Sequence, residues 1–340
     1  MERWSKDAVW QWWNEIDWPV GANYVTSNAV NDIEMWMDQT FDPELISKEL
    51  TWASQIGMNS VRVFLPYIVW QKERNLFEAN FEMFLQLAAN HGLKVLPILF
   101  DDCAFDFGSE PVYGPQPEPV PGVHNSRWVP SPGFAVQDDP VQLEKCQEYV
   151  YAVVGNHAQD PRILAWDLYN EPGNTQRAEK CLPLLEAAFI WARKCSPIQP
   201  LTAGVWTWAN GYEKVNETCW ALSDVISLHA YTSLENTKLW VNKAKAYERP
   251  IMITEWLHRP NNNTIEDHLP FFHDEKIGIW QWGLVQGKTQ TNLNWATMNG
   301  GMPDPYPVLW QHDIFYQNGT AYRSSEIELY KALTENNKDC

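Results

Sequence analysis

Short apolar runs alternate with longer stretches of helical period from near the start of the chain to about residue 282. Runs of four to seven residues rich in branched and aromatic side chains, bounded by turn formers, read as strands buried on both faces. They are Pro19–Tyr24, Ser60–Leu65, Lys94–Phe100, Ile163–Tyr169, Leu201–Trp206, Val225–His229, Pro250–Thr254 and Lys276–Trp282. Between them, Pro43–Ile56, Phe81–His91, Pro140–His157, Ala178–Cys195 and Leu234–Tyr247 place apolar residues at helical spacing. Strand and helix in strict alternation predict a parallel α/β architecture. Eight such units, with no glycine-rich phosphate loop after the first strand, select a closed (β/α)8 TIM barrel over an open doubly wound sheet. The chain of 340 residues then forms one domain, 1–340, a usual size for this barrel.

The alternation is interrupted once, by an insertion from Asp101 to Asp139 after the third strand. Its stretch PVYGPQPEPVPGVHNSRWVPSPG is too rich in proline and glycine for regular structure. A loop of this length in a compact domain is usually functional. Proline lowers its ordering entropy, and Tyr113, Trp128 and Phe134 offer apolar anchors, so an ordered wall over one end of a cleft is expected, with Trp128 as a substrate contact. Such a wall would favour short chains or chain ends.

In a parallel barrel the C-termini of the strands converge on one face, where chemistry is expected. The fourth strand ends in Asn170-Glu171, the sixth in His229-Ala230-Tyr231, the seventh in Glu255-Trp256 and the eighth in Trp280-Gln281-Trp282, while Arg62 interrupts the apolar second strand. Two carboxylates on opposite sides of the mouth can flank one glycosidic bond, at roughly 5 to 5.5 Å if the mechanism retains configuration. One must hold a proton for the leaving oxygen while the other stays ionised to attack. Arg62 and Tyr231 are the natural partners of the ionised one, and desolvation together with the neighbouring anion would raise Glu171. Trp280 is expected to pack between barrel and helices. Asp101, Asp102 and His124 are open to three roles: substrate contacts, helix caps or loop braces.

The set WDLYNEP, HAY and ITEW resembles the retaining β-glycosidases of clan A, closest to glycoside hydrolase family 5, over most of the chain. The resemblance implies Glu171 as acid/base, Glu255 as nucleophile and Asn170 as the ligand of the sugar 2-hydroxyl. It also implies substrate-binding roles for Arg62, His229 and Tyr231 and a tryptophan platform at Trp282. GLVQGKTQT and LWQHDIF resemble a bacterial subgroup labelled β-1,4-xylanase or cellulase-like. Many family members carry His near the end of the third strand, where this chain has Asp101-Asp102-Cys103. The implied activity is double-displacement hydrolysis of β-linked, β-1,4 in the first instance, oligo- or polysaccharides. Transglycosylation with the same residues and a catalytically silent carbohydrate-binding barrel are the alternatives.

Composition fits a neutral glycan partner. Acidic side chains number 43 against 25 basic ones, a formal charge of −18, which disfavours nucleic acid and anionic membrane. Twenty Trp leave aromatics beyond the needs of a core. Cys103, Cys146, Cys181, Cys195, Cys219 and Cys340 form no metal spacing, nor do His258 and His312, so neither metal nor cofactor is expected. No stretch is apolar enough to span a membrane, and the start MERWSKDAVWQWW lacks a signal-peptide core. A monomer acting outside the cell or in the periplasm, after removal of a leader, is the expectation for a polymer-degrading enzyme.

Overall fold

A computed structural model of the chain describes residues 2–105 and 109–335. Cys340 and three residues of the insertion, 106–108, therefore lie outside the described residues. Eight parallel strands are present: β1 Val20–Asn23, β2 Ser60–Phe64, β3 Lys94–Asp101, β4 Trp166–Asn170, β5 Leu201–Thr202, β6 Ile226–His229, β7 Ile251–Glu255 and β8 Gly278–Trp282. They pair in the order β5-β4-β3-β2-β1-β8-β7-β6, and a parallel bridge between Val205 and Leu228 joins the two ends. This is the (β/α)8 barrel expected from the alternation.

The strands differ from expectation where local geometry overrides pattern. β5 is only two residues long, because the chain leaves the ladder after Thr202 and touches β6 again at Val205 alone. The fourth helix extends from Tyr67 to Asn90 instead of starting at Phe81, with a break at Glu73, where φ is −137°. Asp42 and Asp139 cap the helices Pro43–Gln55 and Pro140–Asn156, each accepting a backbone N–H of the first turn ahead of a proline.

A helix not foreseen from the pattern, Lys6–Asn14, closes the bottom of the barrel. Its Val9 and Trp13 pack with Leu96, Met252 and Trp280 in one apolar cluster. Trp280 is fully buried there, in the packing role expected of it. The close approach is why residue 21 carries no side chain: a Cβ there would lie 2.3 Å from the Ser60 carbonyl oxygen and 2.7 Å from the Trp280 indole. At the opposite end Phe64, Ile98, Trp128 and Trp282 form a second cluster under the mouth.

A buried ion pair ties the loop after β7 to the C-terminal helix Ser324–Glu335. Arg259 donates from Nε and Nη2 to Glu326, at 2.7 Å each, and to the carbonyls of His312 and Asp313 at 2.7 and 3.0 Å. Removing Arg259 leaves Glu326 buried, with the longer 3.8 Å contact to Arg323 as its remaining ion pair. Arg259→Leu should therefore lose about 3–5 kcal/mol in urea unfolding, and adding Glu326→Leu should recover part of it. A loss under about 1 kcal/mol, the size of an exposed pair, would show that water reaches Glu326.

Candidate active site

Arg62 is fully buried in the barrel's upper interior, and every hydrogen bond of its side chain goes to a residue of another strand. Nε and Nη2 donate to Asp167 Oδ2 at 3.0 and 2.7 Å, Nη2 also to Asn170 Oδ1 at 2.6 Å, and Nη1 to Asn23 Oδ1 and Glu255 Oε1 at 2.6 and 2.8 Å. Asn23 in turn donates to the Thr254 carbonyl at 2.8 Å. One guanidinium thus sets the positions of β1, β4 and β7 side chains at once. Neither Arg62 nor His229 lines the cavity above. Both lie below it, so the structure places them against the carboxylates and not against a substrate.

Glu255 ends β7 and accepts from Arg62 on Oε1 and from the Tyr231 hydroxyl on Oε2 at 2.9 Å. Burial pushes its carboxyl above the ordinary range, while the Arg62 charge and hydrogen bond pull it back toward the anion. Glu171 follows β4 with φ of +46°, in the left-handed region that non-glycine residues seldom occupy. Burial pushes its carboxyl up to about 7, against hydrogen bonds from Asn174 and the Cys103 thiol. Of the two glutamates, Glu171 has no cation hydrogen-bonded to its carboxyl, whereas Glu255 holds Arg62 directly.

His229 stands between them. Its Nδ1 lies 2.7 Å from Glu171 Oε1 and 3.3 Å from Glu255 Oε2, and one oxygen of each carboxylate lies within 4.8 Å of the other. Burial lowers the imidazole to about 4, so the ring is neutral. Its Nε2 is buried without a partner and faces Gly204, where a Cβ would come within 2.9 Å. A hydrogen on Nε2 would be an orphan donor, so it sits on Nδ1 and donates to Glu171. Glu171, His229 and Glu255 also have the spacing of a cation site, but the guanidinium of Arg62 already supplies the positive charge there. In the other such group, Glu82, His157 and Asp160, Arg162 bridges both carboxylates at 2.8 and 2.5 Å.

Above the carboxylates lies a cavity of about 420 Å³, lined by Asn170, Glu171, Tyr231 and Glu255 among aromatic side chains. Trp128 and Trp282 both line it, their rings 5.7 Å apart and edge to face, as the sequence anticipated. Asn170 keeps its amide aimed by donating to Asp101 Oδ1 at 2.8 Å, and Asp101 also accepts from the Trp128 indole at 2.8 Å. Asp102 is not on the cavity wall. Its carboxylate accepts from Gln137, Tyr169 and the Gly173 N–H, each at 2.7 Å, so of its possible roles it is the brace that holds the loop after Glu171.

The insertion contributes Cys103, Phe105, His124, Asn125 and Trp128 to the wall. Tyr113 and Phe134 do not join them: the Tyr113 hydroxyl donates to Glu73, and Phe134 lies beneath Arg177. The insertion is held by the loop after β8. His124 N donates to Thr297 Oγ1 at 2.9 Å, His124 Nδ1 bonds the Leu293 carbonyl at 2.7 Å, and Asn125 N donates to the Thr289 carbonyl at 2.8 Å. That second loop supplies Trp295, Met298, Asn299 and His312, which the sequence reading missed. Its length without strand or helix was the available signal. Asp167 was missed as well, although a lone acid in an apolar strand mirrors the lone Arg62.

The chain resembles known proteins in part of its sequence and in its fold. A family model described as glycosyl hydrolase catalytic core matches residues 147–281, which include both glutamates. A GH5_18 variant from Streptomyces cattleya, in complex with Manβ1-4GlcNAc, is 16% identical with a TM-score of 0.65, over 94% of this chain and 80% of that one. An exo-β-1,4-mannosidase from Opitutaceae bacterium strain TAV5 is 17% identical with a TM-score of 0.64, over 94% and 60%. An endo-1,4-β-mannanase from Rhizomucor miehei is 10% identical with a TM-score of 0.58, over 94% and 98%. No curated protein sequence matches the chain.

The burial of Glu171 predicts a pH profile. A general acid at this position would work only while protonated, so kcat/KM on substrates with poor leaving groups should fall as pH rises through about 7. The acid limb should mark protonation of Glu255, and both limbs belong to the coupled pair. With Glu171→Ala and an activated aryl glycoside, the alkaline limb should vanish; its persistence near the same pH would assign it elsewhere.

Proposed function

We propose that the chain is a retaining β-glycoside hydrolase that acts on short β-1,4-linked chains. The observation that carries this is the pair of carboxylates at the cavity floor, one oxygen of each within 4.8 Å of the other. Inverting enzymes hold their carboxyls about 6.5–9.5 Å apart to admit that water. Glu255, with Arg62 and Tyr231 on its oxygens, attacks the anomeric carbon; Glu171 gives its proton to the departing oxygen. Water then enters, Glu171 takes its proton, and the bond to Glu255 is broken with net retention.

Action on short chains is supported by the size of the cavity. Trp128, His124, Asn125 and His312 are almost fully buried and form a packed wall of it. Half-exposed lining residues occur on both sides, Asn174, Trp206 and Trp240 on one and Phe105, Trp295 and Met298 on the other. A volume of about 420 Å³ lies toward the lower end of the ~300–1,000 Å³ common for small-ligand sites. The mannosidase and mannanase names of the structurally similar proteins make β-mannosides the first substrates to try.

Screening aryl β-glycosides of manno, gluco, xylo and galacto configuration tests the reading directly. Glu255→Gln should lower turnover by at least about 10³-fold with the fold retained, and a 2-deoxy-2-fluoro glycoside should label Glu255. Glu171→Ala should spare activated leaving groups, with azide restoring rate. A label on another residue, or loss equal on all leaving groups without rescue, would contradict the assigned roles.

A further inference from the structure

The loop that begins at Glu171 is strained along most of its length. Glu171, Thr175, Gln176 and Ala178 have φ of +46°, +52°, +61° and +45°, four non-glycine residues in the left-handed region within one short segment. Such a backbone persists only where neighbouring contacts hold it, and strain of this kind gathers at functional sites. Here the loop after β3 provides the contacts. Thr175 Oγ1 donates to the Asp102 carbonyl at 2.7 Å and accepts from the Ala104 N–H at 3.1 Å, and the Gly173 N–H donates to Asp102 Oδ2 at 2.7 Å. Asn174 is thus clamped on both sides, with its side chain half-exposed on the cavity wall.

The two ends of that side chain have different partners. Asn174 Oδ1 accepts from the Thr175 N–H, which fixes the amide's orientation, and Nδ2 then donates to Glu171 Oε2. The other oxygen of the same carboxyl, Oε1, accepts from His229 Nδ1 at 2.7 Å. With an N–H donor on each oxygen the anion is matched on both sides, whereas a proton on Oε2 would weaken that oxygen as an acceptor. Of the groups that draw the Glu171 carboxyl down against burial, the Asn174 amide acts most strongly, ahead of the Cys103 thiol and the Arg62 charge. The other groups facing Glu171 act differently. Burial keeps the proton on the Cys103 thiol and the Tyr231 hydroxyl, His229 is neutral, and Glu255 and Asp101 bring like charge.

We propose that Asn174 is a positioning residue for the acid/base: its amide holds Glu171 Oε2, favours the anion, and sets how readily the carboxyl gives up its proton. The clamp from the loop after β3 serves to keep that amide in place. This assignment rests on the reading of Glu171 as acid/base and adds the group that tunes it.

Asn174→Asp separates the two ends of the side chain. Its carboxylate still accepts from the Thr175 N–H, so the loop keeps that bond, but Glu171 loses a donor and gains a neighbouring like charge. The alkaline limb of kcat/KM on substrates with poor leaving groups should then rise by about one pH unit or more, because Glu171 holds its proton to higher pH. Asn174→Ala, which removes the donor without adding charge, should move the limb the same way by less. A limb left at the wild-type position in either variant overturns the proposal, since a side chain that only braces the loop would not move it. Infrared titration of the unliganded protein, each form measured against its Glu171→Gln counterpart, reads the carboxyl proton without turnover. An upward shift of the midpoint in both variants supports the assignment, and unchanged midpoints sink it. If the wild type turned over no aryl glycoside while the infrared shift appeared, the hydrolase reading would fall and the control of the Glu171 proton by Asn174 would stand.

Discussion

The arrangement of this barrel depends on one buried cation. A guanidinium with no exposed surface is stable only when its donors are met and its charge is balanced, because desolvating it alone would cost several kcal/mol. Arg62 meets that demand with Asn23, Asp167, Asn170 and Glu255, which come from three other strands. No local piece of chain can provide these partners, so they are assembled only when the barrel closes. The same contacts leave three carboxylates, Asp167, Glu171 and Glu255, around a single positive charge. Asp167 and Glu255 hold the guanidinium directly, and the proton that the excess anion retains falls to Glu171.

The surroundings of the glutamates convert this balance into a division of roles. Tyr231 completes the shell of Glu255, and neutral His229, whose ring sits in the room left by Gly204, donates to Glu171. Asp102 pins the loop that holds Glu171 in its left-handed backbone conformation. Asp101 ties the aim of Asn170 to the position of Trp128, so the insertion is linked to the reacting groups by hydrogen bonds.

The walls obey a different logic. The insertion after β3 and the loop after β8 have little regular structure, and each is ordered by the other through His124, Asn125, Thr289, Leu293 and Thr297. Arg259 and Glu326 hold the far end of the second loop against the C-terminal helix. What the barrel does for the carboxylates, this pairing of loops does for the cavity wall, where it seats Trp128, His124 and His312.

Strand positions, the closed barrel and the two glutamates were legible in the amino-acid sequence, because each rests on a short-range pattern: apolar runs of strand length, their eightfold alternation with helices, and charges at strand ends. Arg62 stood out for the same reason, as a charge in an apolar run. The true extent of β5, the long helix from Tyr67, the floor formed by Trp13 and the wall residues Trp295 and His312 were not legible, since they are set by contacts between segments far apart in the chain. The roles of the polar residues divide along the same line. That Asp102 braces a loop, that Arg62 and His229 serve the carboxylates and not the sugar, and that Trp128 faces the cavity while Tyr113 and Phe134 do not, depend on which groups lie within hydrogen-bond reach. That proximity exists only after the strands have closed and the two loops have met, so it was decided by the tertiary structure.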